Sequence, residues 1–280
     1  MNNMLVGEKG YLKLVRMIIC RGNVRRTRNG TLYSMFAPQL HFSLSNHNIP
    51  ILTTKKMAIR SCIEELLWFI RGDTNVHTLQ KKNVHIWDKN AEDLEQQMGH
   101  PLYGDLGPIY GYQWRNFNGQ GYDQLNMIVK ALKDPKERFS RRLVMSAWNP
   151  NQLHEMALPP CHILSQFYVT EDNKLSCQVY QRSGDMGLGV PFNIMSYGVL
   201  THLLAKHTNL RPDKLILTLG DAHVYPNHIE PLTLQIRRKP YAFPWLHINY
   251  KRKHIEDYTY KDMIIQNYKY HPKIKMDMIV

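Results

Sequence analysis

The chain has 280 residues, 43% of them hydrophobic, enough for one large domain or two small ones around a buried core. No stretch approaches the ~20 uncharged apolar residues that span a bilayer, and no apolar segment precedes a small-residue cleavage site near the N-terminus, so a soluble intracellular protein is expected. A formal charge of +13 calls for an anionic partner, whether a nucleotide, a polyglutamylated cofactor or nucleic acid, and does not choose among them.

No repeat, low-complexity run or Pro/Gly/Ser linker divides the sequence, which predicts a single domain over residues 1–280. Residues 11–20 read as a first helix. A Gly/Asn-punctuated basic loop follows, then strands over 31–36 and 40–44. Residues 59–70 form an amphipathic helix, with Ile59, Cys62, Ile63, Leu66, Leu67 and Ile70 as its apolar stripe and Gly72 closing it. Two carboxylates interrupt this helix. Glu64 has Arg60 and Trp68 at i±4, whereas Glu65 lies at the edge of the stripe and is expected to be the more buried. A carboxylate there has to find partners or shift its pKa upward, as an acid/base group in a cleft does; a helix-edge Glu paired with an Arg is the plainer alternative. Residues 162–169 and 174–181 read as strands of a hairpin turned by Glu-Asp-Asn, and 194–205 as a second buried helix. Strands and helices do not alternate regularly, which implies an α+β architecture rather than a doubly wound parallel sheet.

Cys20, Cys62, Cys161 and Cys177 show no CxxC spacing and are too sparse for a disulfide framework, so reduced thiols are expected. The run Leu158-Pro159-Pro160-Cys161-His162 sets one thiol behind two residues with locked dihedrals and no N–H donor. A rigid backbone suits a nucleophile, although Pro-Pro-Cys also accommodates a cysteine that merely packs. Gln181-Arg182-Ser183-Gly184-Asp185 then groups a guanidinium, a hydroxyl, a glycine and a carboxylate after a strand. Arg182 and Ser183 are suitable phosphate donors, and the arginine would favour a nearby thiolate. Asp185 would repel a phosphate and so accept hydrogen bonds from another ligand; a charged turn is the structural reading of the cluster. In Leu188-Gly189-Val190-Pro191-Phe192-Asn193 the glycine permits close backbone approach. Asn193 either caps the second helix or offers its amide to the alternating edge of a pyrimidine. In Gly220-Asp221-Ala222-His223-Val224-Tyr225 the two rings fall on one side of an extended segment, where both can donate to one sugar hydroxyl. His223 and His228 lack zinc-site spacing, and there is neither a P-loop nor a dinucleotide fingerprint, so no metal and neither kinase nor nicotinamide chemistry is expected.

The blocks LPPCH (158–162), QRSGDMGLGVPFN (181–193), GDAHVYPNHIEPL (220–232) and DLGPIYGYQWR (105–115) closely resemble the thymidylate synthases, in wording more animal-type than bacterial. EELLWFIRGDTN (64–75) and HPKIKMDMIV (271–280) are in register, so the resemblance runs from about Tyr11 to Val280. It implies a large mixed β-sheet flanked by helices, two subunits packed sheet to sheet as a homodimer, and active sites completed by the partner. It also implies reductive methylation of dUMP to dTMP, with 5,10-methylenetetrahydrofolate as donor of one carbon and a hydride and no metal. Carried over by motif, Cys161 is the nucleophile that adds to C6. Arg26, Arg182 and Ser183 hold the phosphate, with Gly184 in the same block and Arg141 and Arg142 reaching in from the other subunit. Asn193 reads the uracil edge, His223 and Tyr225 bind the 3′-hydroxyl, and Glu65 moves protons at the pyrimidine. Tyr110 contacts the bound nucleotide. Asp185 accepts from the pterin, Ile86, Trp87, Leu188, Gly189 and Phe192 surround the folate, Lys55 lies near its acidic tail, and Ile279 and Val280 close over it.

The chain departs from the family's wording in places. Arg28-Asn29 stands where Gly-Thr is usual after Arg26-Thr27, Met195 replaces a small residue, Lys239 replaces an acidic one, and the stretch between Arg115 and Asp123 is shortened. The nearest rival function is a deoxynucleotide hydroxymethylase, in which water intercepts the exocyclic methylene. Relatives acting on dCMP carry Asp where this chain has Asn193, whereas a dUMP hydroxymethylase would differ only in admitting water. The basic stretches 21–28 and 237–275 raise RNA binding as a second activity, although no nucleic-acid signature accompanies them and a solvated basic surface is the favoured reading. A cytoplasmic location is expected; the basic runs 237–239 and 251–253 are too short to decide nuclear entry.

Overall fold

A computed structural model describes residues 4–27 and 30–277 of the chain; the expectations for Arg28, Asn29, Ile279 and Val280 lie outside the described residues. In chain order its elements are β1 (Leu5–Val6), α1 (Gly7–Arg21), β2 (Asn23–Thr27), β3 (Gly30–Phe36), β4 (Gln39–Ser43), α2 (Ile59–Ile70), α3 (Val76–Gln80), α4 (Asp88–Met98), α5 (Tyr110–Arg115) and α6 (Gln124–Lys133). They continue with β5 (Val144–Ser146), β6 (His162–Val169), β7 (Lys174–Asp185), α7 (Gly189–Thr208), β8 (Arg211–Val224), α8 (Ile229–Ile236), β9 (Trp245–Ile248) and β10 (Met263–Gln266).

Along β6, Ser165, Phe167 and Val169 turn inward while Leu164, Gln166 and Tyr168 turn outward, the period of two that gives a sheet one covered face. The main sheet runs β1-β4-β8-β7-β6-β5, with β3 also on β8 and β2 on β3. It is mixed, as expected: β1/β4 and β7/β8 are parallel and the other pairs antiparallel. A parallel pair cannot be joined by a hairpin, and α7 supplies the crossover between β7 and β8. Apolar on nearly every side, α7 is buried along most of its length beneath the sheet. Trp68 and Trp114 from α2 and α5 and Tyr11 from α1 are fully buried in the same core. On the outer face Leu164, Tyr168 and Tyr180 stay exposed, Tyr168 at 66%.

Helix α2 has the expected limits, and Gly72 beyond it takes φ +73°. The hairpin β6/β7 turns through Asn173 at φ +60°. The shortened stretch after α5 is a tight turn in which Phe117 bridges to Tyr122 and Arg115 pairs with Asp123 at 3.0 Å. Three expectations are corrected. The basic segment after α1 is strand β2 rather than a loop, all five of its residues exposed and therefore without alternation to read. Strand β7 continues to Asp185, so the polar cluster at 181–185 is strand and not a turn after one. Helix α7 begins at Gly189, which puts Asn193 inside its second turn and removes the capping role. Among the described residues no helix is long and apolar enough to cross a membrane.

Candidate active site

Strand register gathers the reactive residues. In the antiparallel pair β6/β7, His162 stands opposite Gln181, and the Arg182 N–H donates to the Cys161 carbonyl at 2.8 Å. In the parallel pair β7/β8, Ser183 stands opposite Asp221 and Asp185 opposite His223. A Cβ at position 220 would lie 2.8 Å from the Arg182 carbonyl oxygen, so glycine there lets β8 close onto β7.

Cys161 ends a loop whose prolines offer carbonyls but no N–H. Arg182 takes both: its Nε donates to the Pro160 oxygen at 2.7 Å and its Nη2 to the Pro159 oxygen at 2.9 Å. The guanidinium lies over Trp148, 5.5 Å from the ring centroid, and its Nη1 makes no hydrogen bond to a described residue. The Tyr110 hydroxyl accepts the Cys161 N–H at 2.7 Å, tying α5 to the same loop. Burial pushes the Cys161 thiol up from its ordinary value, while Arg182 and the Tyr110 hydroxyl pull it back. The neighbouring imidazole does not act as its base. His162 stacks on Tyr110 at 4.1 Å, shares a hydrogen bond with the Tyr197 hydroxyl at 2.8 Å, and is driven by burial down to about 3, hence neutral.

Helix α2 carries the two carboxylates, and their order of burial reverses the expectation. Glu64 is 6% exposed and pairs with Lys82 at 2.6 Å, whereas Glu65 keeps some solvent access while protein surrounds it, as at the floor of a cleft. The helix stripe could not reveal Lys82 folding over Glu64 from 18 residues away. Glu65 has no ion-pair partner among the described residues; its Oε1 accepts the Trp87 indole N–H at 2.8 Å. Burial raises its pKa to about 7, with the Trp87 bond acting in the opposite sense. Cys62 Sγ, one turn earlier, lies 3.5 Å from the Phe192 carbonyl and brings α2 beside the start of α7. There the Asn193 amide, half-buried, makes no hydrogen bond to a described residue.

On the other side of β7, Asp185 Oδ1 accepts the Gly187 N–H at 2.7 Å. Lys55 is buried, its Nζ donating to the Gly187 carbonyl at 2.6 Å, and burial lowers it to about 8 against the pull of Asp185. Leu188, Gly189 and Phe192 are half-buried, Trp87 is buried among Trp68, Phe69 and Tyr110, and Ile86 is exposed. The buried His223 points Nδ1 toward the Asp221 carbonyl at 3.2 Å, its Nε2 engages no described residue, and its ring meets Tyr225 edge-on at 5.2 Å. Asp221 also pairs with Arg25, next to Arg26 on β2. Arg26, Arg141 and Arg142 are exposed with guanidinium groups unpaired among the described residues. One chain does not bring them together: Arg26 lies on the β2 edge of the sheet and the other two just before the β5 edge.

The carbonyl clamp of Arg182, the Trp148 platform beneath it, the Trp87 bond to Glu65 and the Asp221 contact to His223 were not readable from the sequence. No motif or spacing signals Trp148, and for Trp87 the resemblance implied a place beside the folate but not the bond to Glu65, 22 residues away. Among the described residues no three His, Cys, Asp or Glu side chains are grouped to hold a metal ion.

A family model described as thymidylate synthase matches residues 9–280. The chain belongs to the thymidylate synthase family. It is 49% identical over 290 residues to a bifunctional dihydrofolate reductase-thymidylate synthase of Leishmania amazonensis, a match covering 98% of this chain and 55% of the relative. It is 49% identical over 289 residues to a thymidylate synthase of Human herpesvirus 8 type P (isolate GK18), covering 84% of that protein, and 48% identical over 291 residues to that of Homo sapiens, covering 91%. The chain thus spans about half the length of the bifunctional relatives and most of the other two. The α+β architecture and mixed sheet expected of a thymidylate synthase are those observed.

Proposed function

We propose that this chain is itself a thymidylate synthase, converting dUMP and 5,10-methylenetetrahydrofolate to dTMP and dihydrofolate. The observation that carries the reading is a thiol clamped beside an arginine, with an Asn193 amide that bonds no described residue and a Glu65 carboxyl raised to about 7 on the adjoining helices. The dUMP phosphate is held by Arg26, Arg182 through its Nη1, and Ser183, joined by Arg141 and Arg142 of the partner subunit. Gly184 follows Ser183 on β7 and offers the nucleotide its backbone alone, since a Cβ there would press on Leu219 and Val190 at 3.0 Å, and His223 Nε2 and Tyr225 take the 3′-hydroxyl. Asn193 donates to O4 and accepts from N3–H, the pattern of uracil and not of cytosine.

With no imidazole acting as its base, Cys161 relies on Arg182 and the Tyr110 hydroxyl to hold its thiolate. The sulfur adds to C6, and C5 becomes nucleophilic as charge moves to O4. Glu65, present in both protonation states near pH 7, gives a proton at the carbonyl and removes the C5 proton. When bound, the folate supplies the methylene carbon and then the hydride, so no separate reductant enters. The sulfur leaves C6 as the product forms. Asp185 suits a pterin N–H as acceptor, Trp87, Leu188, Phe192 and Ile86 offer apolar surface, and Lys55 fixes the Gly187 backbone beneath.

The exposed Leu164, Tyr168 and Tyr180 support a homodimer packed through the outer sheet face. Four free cysteines suit a reducing cytoplasm. The test is an assay with dUMP and dCMP in parallel, following dihydrofolate and identifying the nucleotide formed. dTMP formation abolished by Cys161→Ala supports the reading; a hydroxymethyl nucleotide, or no conversion by folded reduced protein, overturns it.

A further inference from the structure

His228 is fully buried at the head of α8 and faces two ways. Its Nε2 lies 2.8 Å from the backbone carbonyl of Asp277, in the C-terminal tail, and its Nδ1 lies 3.6 Å from Asp185 Oδ1 with no hydrogen bond to any described residue. A carbonyl only accepts, so Nε2 carries a hydrogen whenever the tail is docked. A neutral ring in that tautomer turns the Nδ1 lone pair toward a carboxylate; a second proton turns the repulsion into an ion pair. Both contacts are therefore satisfied together only by the imidazolium.

The surroundings fit this arrangement. A Cβ on residue 187 would stand 2.7 Å from His228 Nδ1 and 3.0 Å from Met276 Sδ, so Gly187 makes room for both the ring and the tail. The tail is otherwise pinned by Arg238 Nη1 on the Pro272 carbonyl at 2.7 Å and by the His271 N–H on the Thr53 carbonyl at 2.8 Å. The groups around the imidazole are Asp185 on β7, Lys55 behind Gly187, the Tyr225 ring edge-on at 5.8 Å, and Tyr11 from α1, whose hydroxyl donates to the Met186 carbonyl. Glu8, beyond Tyr11, has its oxygens occupied by Thr53 and Thr54.

We propose that His228 is a positioning residue that fastens the C-terminal tail to the Asp185 carboxylate, so that the tail docks beside the cofactor's acceptor with uptake of one proton. The proposal rests on the reading of Asp185 as that acceptor. Asp185 raises the His228 pKa above its ordinary 6.5, while burial and Lys55 oppose it. The Asp277 carbonyl adds to that rise only while the tail is docked, so docking takes up a proton and weakens as pH climbs through the raised value.

The test combines hydrogen exchange of residues 271–277 with steady-state kinetics. In the wild-type protein, protection factors in this segment should fall by about tenfold between pH 6 and pH 8.5, the size expected for one charge-assisted contact. His228→Gln keeps a donor for Asp277 but no titratable charge. It should flatten the pH dependence and raise KM for methylenetetrahydrofolate about tenfold, with KM for dUMP within about twofold of wild type. Wild-type pH dependence of the tail in folded His228→Gln, or an unchanged cofactor KM, overturns the proposal. If His228→Gln does not fold, Asp185→Asn decides, since it too must flatten the tail's pH response. A wild-type chain that makes no product from dUMP would defeat the catalytic reading while the exchange experiment still reads the latch.

Discussion

The indole N–H of Trp87 donates to the Glu65 carboxylate at 2.8 Å, and that bond opposes a burial effect that raises the carboxyl to about 7. The acid is thus poised where it can both give and take a proton near neutral pH. Trp87→Phe removes the opposing bond, so the limb of the pH–rate profile that reports Glu65 is expected to move to higher pH. Glu65→Gln should lower kcat by about 10²–10⁴-fold. An unmoved limb in Trp87→Phe would detach Trp87 from the proton transfer.

The same shift has a cost in stability whose sign can be checked. A carboxyl raised from 4.5 to about 7 contributes fully below pH 4.5 and loses that contribution as pH rises through 7. Glu65→Gln is therefore expected to be more stable than wild type at pH 8, by on the order of 1–3 kcal/mol, and to show little difference at pH 4. Urea unfolding at the two pH values reads this directly.

Arg182→Lys keeps the charge but cannot span the carbonyls of Pro159 and Pro160 with one planar fork. The loop carrying Cys161 should loosen and its thiol titrate higher than in wild type. Alkylation by iodoacetamide as a function of pH reports the thiol, and kcat/KM for dUMP is expected to fall on the order of 10²-fold. Wild-type alkylation in the variant would show that the clamp does not set the reactivity of Cys161.

Asn193→Asp replaces the amide donor by an acceptor at the pyrimidine edge. Activity with dUMP is expected to drop by about 10- to 100-fold, and dCMP to gain relative to it. Equal losses on both nucleotides would mean that Asn193 does not read the base.

Arg26 and the Arg141–Arg142 pair lie at opposite edges of one sheet, so a phosphate meeting all three needs a second subunit. Arg142→Ala and Cys161→Ala, each inactive or nearly so, should complement when mixed under subunit exchange. Random pairing leaves about one quarter of the sites intact, and activity should approach that fraction of wild type. Absence of rescue in verified heterodimers would place both defects in the same site.

Periodicity along the chain determined α2 to the residue, the β6/β7 hairpin and the α+β class, because burial on one face leaves a repeat of 3.6 or 2 in the sequence itself. It was silent on β2, whose five residues are all exposed, and on the first turn of α7, where Pro191 fits because the opening N–H groups of a helix have no intrahelical partner to lose. The motifs supplied Cys161, Arg182, Asn193 and His223 as residue types able to do the chemistry. Which groups meet was decided only by the tertiary structure. Lys82 covers Glu64 and leaves Glu65 to Trp87, Arg182 closes on the carbonyls before Cys161, and His228 sits between Asp185 and Asp277. Such contacts join residues from separate elements through strand register and packing, and nothing in the local sequence around either partner records them.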